Sequence, residues 1–168
     1  IGILVTPLNE GVIKEIPVFY EPFLLYLPKN HKLLNEKLMV ADDLDPSDVL
    51  VLEEGHCFRE QALAICKGGE YGSSIGFDFQ RGSIEALKSL VQNGVGYTFV
   101  PELSVINELN SIHVRRFEHP EPVREVSLVV HNSYINESVI NRLKEGIQKV
   151  VPFQFLEKQS VVNFQASK

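Results

Sequence analysis

Short apolar runs typical of buried β-strands alternate with segments of helical periodicity along this chain, and that alternation restricts the possible folds more than any other feature. Strands are predicted at 1–5, 22–27, 49–52, 96–101 and 126–130. Helices are predicted at 58–66, 84–92, 102–109 and 139–150. The alternation predicts an α/β fold, and the short run at 49–52 is typical of a fully buried parallel strand.

One predicted helix has signals at both ends. Ser83 is placed to cap its N-terminus, Glu85 lies in the first turn, and Asn93-Gly94 ends it. Apolar residues follow at helical spacing, namely Ile84, Leu87, Leu90 and Val91. The segment 67–76 is different, because it holds four of the eleven glycines of the chain, and we predict a mobile loop there.

Composition and charge argue against two classes of protein. The 168 residues carry 22 acidic and 16 basic side chains, and the densest basic cluster is only Arg115-Arg116, so no basic stripe for nucleic acid is predicted. No apolar run approaches the ~18 residues of a membrane span. Two cysteines without a secretory leader favour a reducing compartment, so we expect a cytoplasmic protein that does not contact membranes.

The two cysteines, Cys57 and Cys66, are nine residues apart. Cys57 follows Gly55-His56 at the predicted start of a helix, where backbone N–H groups and the helix dipole stabilise an anion. Arg59 adds a weaker effect, because residues two apart do not face each other on a helix. Oxidants react with the thiolate, so we predict a redox-sensing thiol at Cys57 rather than a small buried hydrophobe.

Other roles for these residues are less well supported. His56 could hydrogen-bond to an oxidant or to the sulfur, or it could simply be a satisfied turn residue, and the sequence leaves both open. No metal site is predicted, because His56 and the two cysteines fit no usual zinc-ligand spacing. The remaining histidines are scattered and predicted to be solvated: His31, His113, His119 and His131.

Several segments together resemble a known family. They are the pair Glu21-Pro22, the Ser83-capped helix, the glycine-led strand in 93–101 that ends in proline, and the segment 120–124. Their order is similar to that in the effector-binding domain of LysR-type transcriptional regulators. The segment Gly55–Arg59, followed by Cys66, resembles the sensor segment of the peroxide-sensing members of that family. The resemblance covers essentially the whole chain.

This resemblance implies two Rossmann-like subdomains of the type 2 periplasmic-binding-protein kind. We expect 1–22 and 124–168 to form part of subdomain I, and 23–123 to form subdomain II with the redox site. A core-type strand begins at once and no Met precedes it, so we expect a piece of a longer chain that lacks the DNA-binding domain and the start of subdomain I.

The resemblance also implies roles for named residues. Cys57 is the expected peroxidatic thiol, Cys66 the resolving thiol of a reversible Cys57–Cys66 disulfide, and Arg124 a supporting cation. A helix from 57 to 66 would separate the two Cα atoms by roughly 13 Å, whereas a disulfide tolerates at most about 7 Å. The helix must therefore unwind when the bond forms.

The two states of such a switch are expected to be close in energy. A disulfide that closes so small a loop stabilises by about 2.7 kcal/mol in the chain-entropy model. Melting two helical turns and exposing Ala62, Leu63 and Ile65 costs a similar amount or more. In the reduced state, Cys66 is predicted to be an ordinary core residue on the apolar face that it shares with Ala62 and Ile65.

The expected partners follow from the resemblance. They are hydrogen peroxide, a thiol reductant of the glutaredoxin or thioredoxin type, and a second copy of the chain in a dimer or tetramer. DNA and RNA polymerase would be contacted through the full-length protein. No cofactor is expected.

Two other functions compete with the sensor. The chain could bind a small metabolite between its subdomains, with incidental cysteines. It could also be a peroxide-consuming enzyme, but the Pro-x-x-x-Thr-x-x-Cys pattern of peroxiredoxins is missing around Cys57. We therefore expect a regulatory domain that is not an enzyme.

Overall fold

The computed structural model describes residues 1–8, 10–36, 38–52, 61, 62, 64–66 and 82–157. The start of the helix predicted at 58–66 and the glycine-rich loop predicted at 67–76 lie outside the described residues. In the described part of the chain, no helix is long and apolar enough to cross a membrane.

The described residues form both strands and helices, as the predicted α/β fold requires. The strands are β1 Gly2–Thr6, β2 Ile13–Tyr26, β3 Leu38–Met39, β4 Thr98–Pro101, β5 Val114–Phe117 and β6 Val123–His131. The α-helices with described bounds are α1 Ile84–Gln92 and α2 Glu137–Gln148. Short 3-10 turns cover Lys32–Asn35, Ala41–Asp43, Pro46–Asp48, Glu102–Val105 and Phe153–Leu156.

The chain divides into two compact units, and the first comprises Ile1–Pro22 and the described residues 123–157. Its sheet places β6 between β1 and the first part of β2, with antiparallel pairing on both sides. Its core is apolar and includes a stacked pair of rings, Phe19 and Phe155. The buried members are Val18, Phe19, Val126, Leu128, Val130, Ile140 and Phe155.

The second unit is formed by Phe23–Pro122, as far as these residues are described. Here the last residues of β2 pair antiparallel with both β4 and β5, and β3 pairs parallel with β5. Helix α1 contacts β4. The Ser83 hydroxyl accepts a hydrogen bond from the Ala86 N–H at 3.2 Å, so the predicted N-cap is confirmed. Leu87 and Val91 are buried, as their spacing predicts.

Strand β2, with 14 residues, is more than twice as long as the strand predicted at 22–27. It begins at Ile13 and pairs with β6 up to Pro22, with a shift in register between Pro17 and Phe19. The extra part was missed because charged residues and Pro17 interrupt its apolar pattern. An irregularity in the pairing is where a strand tolerates proline.

Two predicted elements are wrong. The run at 49–52 is not a strand; it makes one isolated parallel bridge, between Val49 and Tyr97. The helix predicted at 102–109 is a single 3-10 turn, Glu102–Val105. The bond from the Glu108 N–H to the Val105 carbonyl has the tight spacing of a 3-10 turn, and the β-branched and Asn residues there are weak helix formers.

The apolar face predicted on the last helix is only partly buried. Ile140 is buried in the core of the first unit and Ile147 packs against it. Val139, Leu143 and Val150 are exposed. The periodicity therefore predicted the helix correctly but predicted more burial than the described residues provide.

Candidate functional site

The described end of the helix predicted at 58–66 lies in the second unit. Gln61, Ala62, Ala64 and Ile65 have helical backbone, and Cys66 occupies the turn that follows. Ala62, Ile65 and Cys66 are all buried in the core of that unit, so the predicted apolar face is confirmed at these three positions.

Cys66 is a free thiol in this core, with 5% of its surface exposed. Its Sγ lies 4.0 Å from the Oη of Tyr97. Burial raises the pKa of the Cys66 thiol. It therefore favours the neutral thiol, which is a poor nucleophile.

The hydroxyl of Tyr97 has a second partner. It donates a hydrogen bond of 2.9 Å to the backbone carbonyl of Asp45. Because a phenol has one proton, its oxygen can only accept from Cys66, so the S–H group is the donor. Cys66 is therefore held as a weakly hydrogen-bonded neutral thiol.

The backbone beside Tyr97 needs glycine. Gly96 has φ of +63°, and a Cβ at that position would overlap the Asp48 carbonyl oxygen. This close approach lets the Tyr97 N–H donate to Asp48 at 3.0 Å, while the Tyr97 carbonyl accepts from Leu50 at 2.7 Å. The glycine of the predicted strand start thus positions the ring that contacts Cys66.

Four other residues were predicted to belong to the sensor site, and only Arg124 is among the described residues. His56, Cys57 and Arg59 lie outside the described residues. Arg124 lies in β6 of the first unit, and its Nε and Nη2 donate to Glu21 Oε2 at 2.9 and 2.7 Å. Its action on Cys57 stays a prediction.

Sequence reasoning missed a charged cluster around Arg116. Arg116, predicted only as part of a basic pair, bonds to the carboxylates of Glu102 and Glu121 at 2.8 and 3.1 Å. Both glutamates are buried. The cluster joins the 3-10 turn after β4 to β5, and Glu102 lies 14 residues before Arg116, too far for sequence spacing to reveal their contact.

Two histidines predicted to be solvated are half-buried. Nδ1 of His31 accepts from the Leu33 N–H, and burial lowers the pKa of His31. The His113 ring stacks on Tyr26 and its Nδ1 lies 2.7 Å from the Leu27 carbonyl. Among the described residues, no cluster of three or more His, Cys, Asp or Glu could hold a metal ion.

Comparison with known proteins identifies the family. The family model described as "LysR substrate binding domain" matches residues 1–151. The "Hydrogen peroxide-inducible genes activator" of Haemophilus influenzae is 36% identical over 125 residues, which is 73% of this chain and 40% of that protein. The "DNA-binding transcriptional dual regulator OxyR" of Escherichia coli is 34% identical over 136 residues, or 80% of this chain and 44% of that protein.

Comparison with solved structures points to the same family. The crystal structure of reduced OxyR from Porphyromonas gingivalis matches with a TM-score of 0.78 and 29% identity, over 94% of this chain and 72% of that one. The chain spans less than half the length of the two curated relatives. The match over residues 1–151 and the similarity to these relatives show that the chain belongs to the LysR substrate-binding domain family.

Proposed function

We propose that this chain is the redox-sensing part of a transcriptional regulator that responds to hydrogen peroxide. The support is its similarity to relatives that are named hydrogen peroxide-inducible activators. Because the chain spans less than half of those relatives, DNA binding would be supplied by the rest of the protein. These relatives are regulators, which favours a sensor over a peroxide-consuming enzyme.

The proposed chemistry has two steps. The Cys57 thiolate attacks one peroxide oxygen, the O–O bond breaks, and the products are Cys57 sulfenic acid and, after protonation, water. The Cys66 thiol then attacks the sulfenic sulfur, forming the disulfide. The leaving hydroxide combines with the thiol proton to form a second water. The Cys66 sulfur is oxidised in this step and the sulfenic sulfur is reduced.

The burial of Cys66 is the structural observation that supports a coupling between disulfide formation and a change in the fold. A resolving thiol that is neutral and covered by the core cannot attack until its segment leaves the core, so bond formation is coupled to a change in the fold. Removing Ile65 from the core at the same time costs about 1.5–3 kcal/mol. The disulfide returns a similar amount, about 2.7 kcal/mol in the chain-entropy model.

Resetting and signalling complete the proposal. A dithiol reductant of the glutaredoxin or thioredoxin type would return the disulfide to two thiols by exchange. Remodelling of the segment between the cysteines would alter contacts between copies of the chain in a dimer or tetramer. The spacing of the DNA-binding domains, and so contact with RNA polymerase, would change with it.

Single-cysteine variants test the chemistry. Cys57→Ser should abolish oxidation by stoichiometric peroxide, because the reactive thiol is gone. Cys66→Ser should leave a sulfenic acid at Cys57 that dimedone traps, because the resolving thiol is gone. A dimedone adduct that maps first to Cys66 would reverse the two roles.

The alternative is a domain that binds a small metabolite, as the family model's description suggests. It predicts that peroxide leaves both thiols unmodified until it is in large excess. Peroxide titration of the reduced chain, followed by alkylation and mass analysis of the 57–66 peptide, separates the two. Full alkylation of both cysteines after one equivalent of peroxide would favour metabolite binding.

A further inference from the structure

Tyr97 is a polar neighbour of Cys66, and its hydroxyl is held by a hydrogen bond that does not involve that thiol. The ring is 1% exposed and contacts the rings of His31 and Phe99 edge-on, both with centroids 6.0 Å away. The hydroxyl proton is committed to the Asp45 carbonyl. The oxygen would therefore stay in place if Cys66 left the core.

The backbone holds the same residue from a second direction. Tyr97 exchanges hydrogen bonds with the segment at Asp48 and Leu50, next to the close approach of Gly96. The ring and the main chain are thus both fixed within the second unit. The Cys66 thiol therefore faces an acceptor that other contacts hold in place.

We propose that Tyr97 is a positioning residue that holds Cys66 in its buried, reduced place by accepting the S–H hydrogen bond, and so sets how readily Cys66 is released to act as the resolving thiol. When Cys66 leaves, the contact with Tyr97 is lost but the bond from Tyr97 to Asp45 remains. Only the reduced, closed arrangement gains from the acceptor. The redox part of this inference rests on the proposed function; the effect on Cys66 accessibility does not.

Tyr97→Phe is the direct test, because it keeps the ring and removes only the hydroxyl. The Asp45 carbonyl retains a hydrogen bond from the Asp48 N–H at 3.2 Å. The variant loses the bond from Tyr97 to this carbonyl whether Cys66 lies in the core or has left it, so that loss does not affect the balance between the two arrangements. The variant therefore changes the balance between the closed and open arrangements of Cys66 only through the lost contact with that thiol. A lost weak hydrogen bond should shift that balance about two- to fivefold toward the open one.

Tyr26→Phe is the matched control. Tyr26 is equally buried in the same unit, and its hydroxyl accepts from Gln92 at 2.7 Å and lies 3.5 Å from Glu108. Removal of the Tyr26 hydroxyl breaks these hydrogen bonds and leaves the contact between Cys66 and Tyr97 intact. It should therefore lower global stability without changing the local release of Cys66.

The first experiment measures alkylation of Cys66 by iodoacetamide in full-length chains that also carry Cys57→Ser, without peroxide. Tyr97→Phe should raise the rate about two- to fivefold over the parent, and Tyr26→Phe should leave it unchanged under conditions where both variants are folded by circular dichroism. Equal rates in both tyrosine variants would overturn the proposal. This outcome is independent of peroxide sensing.

The second experiment measures the dithiol–disulfide potential of the chain with both cysteines. Tyr97→Phe should make it more negative by about 10–20 mV, the equivalent of a two- to fivefold change for a two-electron couple. An unchanged potential would overturn the link between Tyr97 and the switch. If the parent forms no Cys57–Cys66 disulfide at all, the proposed function fails, while the alkylation result still decides the role of Tyr97.

Discussion

Truncation of Ile65 should move the redox potential of the chain, because its burial stabilises only the reduced fold in this account. Ile65 is 4% exposed, next to Cys66 in the core of the second unit. Replacing a buried Ile by Ala costs about 2–5 kcal/mol through lost burial and the cavity left behind. If the segment leaves the core when the disulfide forms, the oxidised fold does not bear that cost.

The expected shift follows directly. A selective loss of about 2–5 kcal/mol in the reduced state makes the potential about 40–110 mV more negative, since 30 mV corresponds to about 1.4 kcal/mol for two electrons. The assay is equilibration of Ile65→Ala against glutathione redox buffers, with the oxidised fraction read by mass. If the Ala variant does not fold, Ile65→Val should give a shift of about 10–30 mV, from a cost of about 0.5–1.5 kcal/mol.

Ile140→Ala is the matched control, because Ile140 is 5% exposed and lies in the core of the first unit. It should destabilise both redox states alike and leave the potential unchanged. The reasoning is refuted if Ile65→Ala also leaves the potential unchanged while lowering the stability of the reduced and oxidised chains equally, because Ile65 would then stay buried in both.

Three further outcomes test other parts of the account. Arg124→Ala should slow oxidation of the sensing thiol and Arg124→Lys should recover part of the rate, since a nearby cation favours the thiolate; identical rates and pH profiles in all three proteins would remove Arg124 from the site. Gly96→Ala should lower the free energy of unfolding by at least about 1–2 kcal/mol because of its left-handed φ. Gly146→Ala in helix α2, where an added Cβ meets no other atom, should raise the free energy of unfolding by about 0.5–1 kcal/mol. A urea titration that ranks the two variants in the opposite order would contradict the backbone argument. Burial raises the pKa of Cys66, so its alkylation in the Cys57→Ser background should keep rising with pH beyond about 9, and a plateau near pH 8.5 would contradict that burial.

The sequence predicted the elements whose apolar pattern is continuous and local. The Ser83-capped helix and the strand at 126–130 are examples, because caps and short apolar runs act within a few residues. It missed β5, where Arg115 and Arg116 hide the strand pattern although Val114 and Phe117 are buried. It also overestimated the run at 49–52, whose hydrophobicity reflects burial in the core and not a ladder of hydrogen bonds.

The candidate site was predictable only in part, for a similar physical reason. Periodicity alone placed Cys66 on a buried face beside Ala62 and Ile65. The contact with Tyr97 spans 31 residues of sequence, and its acceptor role depends on the bond to the Asp45 carbonyl. Neither contact can be predicted from the spacing of residues in the sequence. The one local signal was Gly96, whose positive φ brings the Tyr97 backbone against the neighbouring segment.

The most direct test of the central claim is a peroxide titration of the reduced chain with mass analysis of the peptide that contains both cysteines. The account predicts that about one equivalent of hydrogen peroxide gives a 57–66 peptide about two mass units lighter, which resists alkylation and regains both alkylation sites after dithiothreitol. Recovery of both cysteines fully alkylated, or oxidation of Cys57 only to the irreversible sulfinic acid without a bond to Cys66, would contradict it.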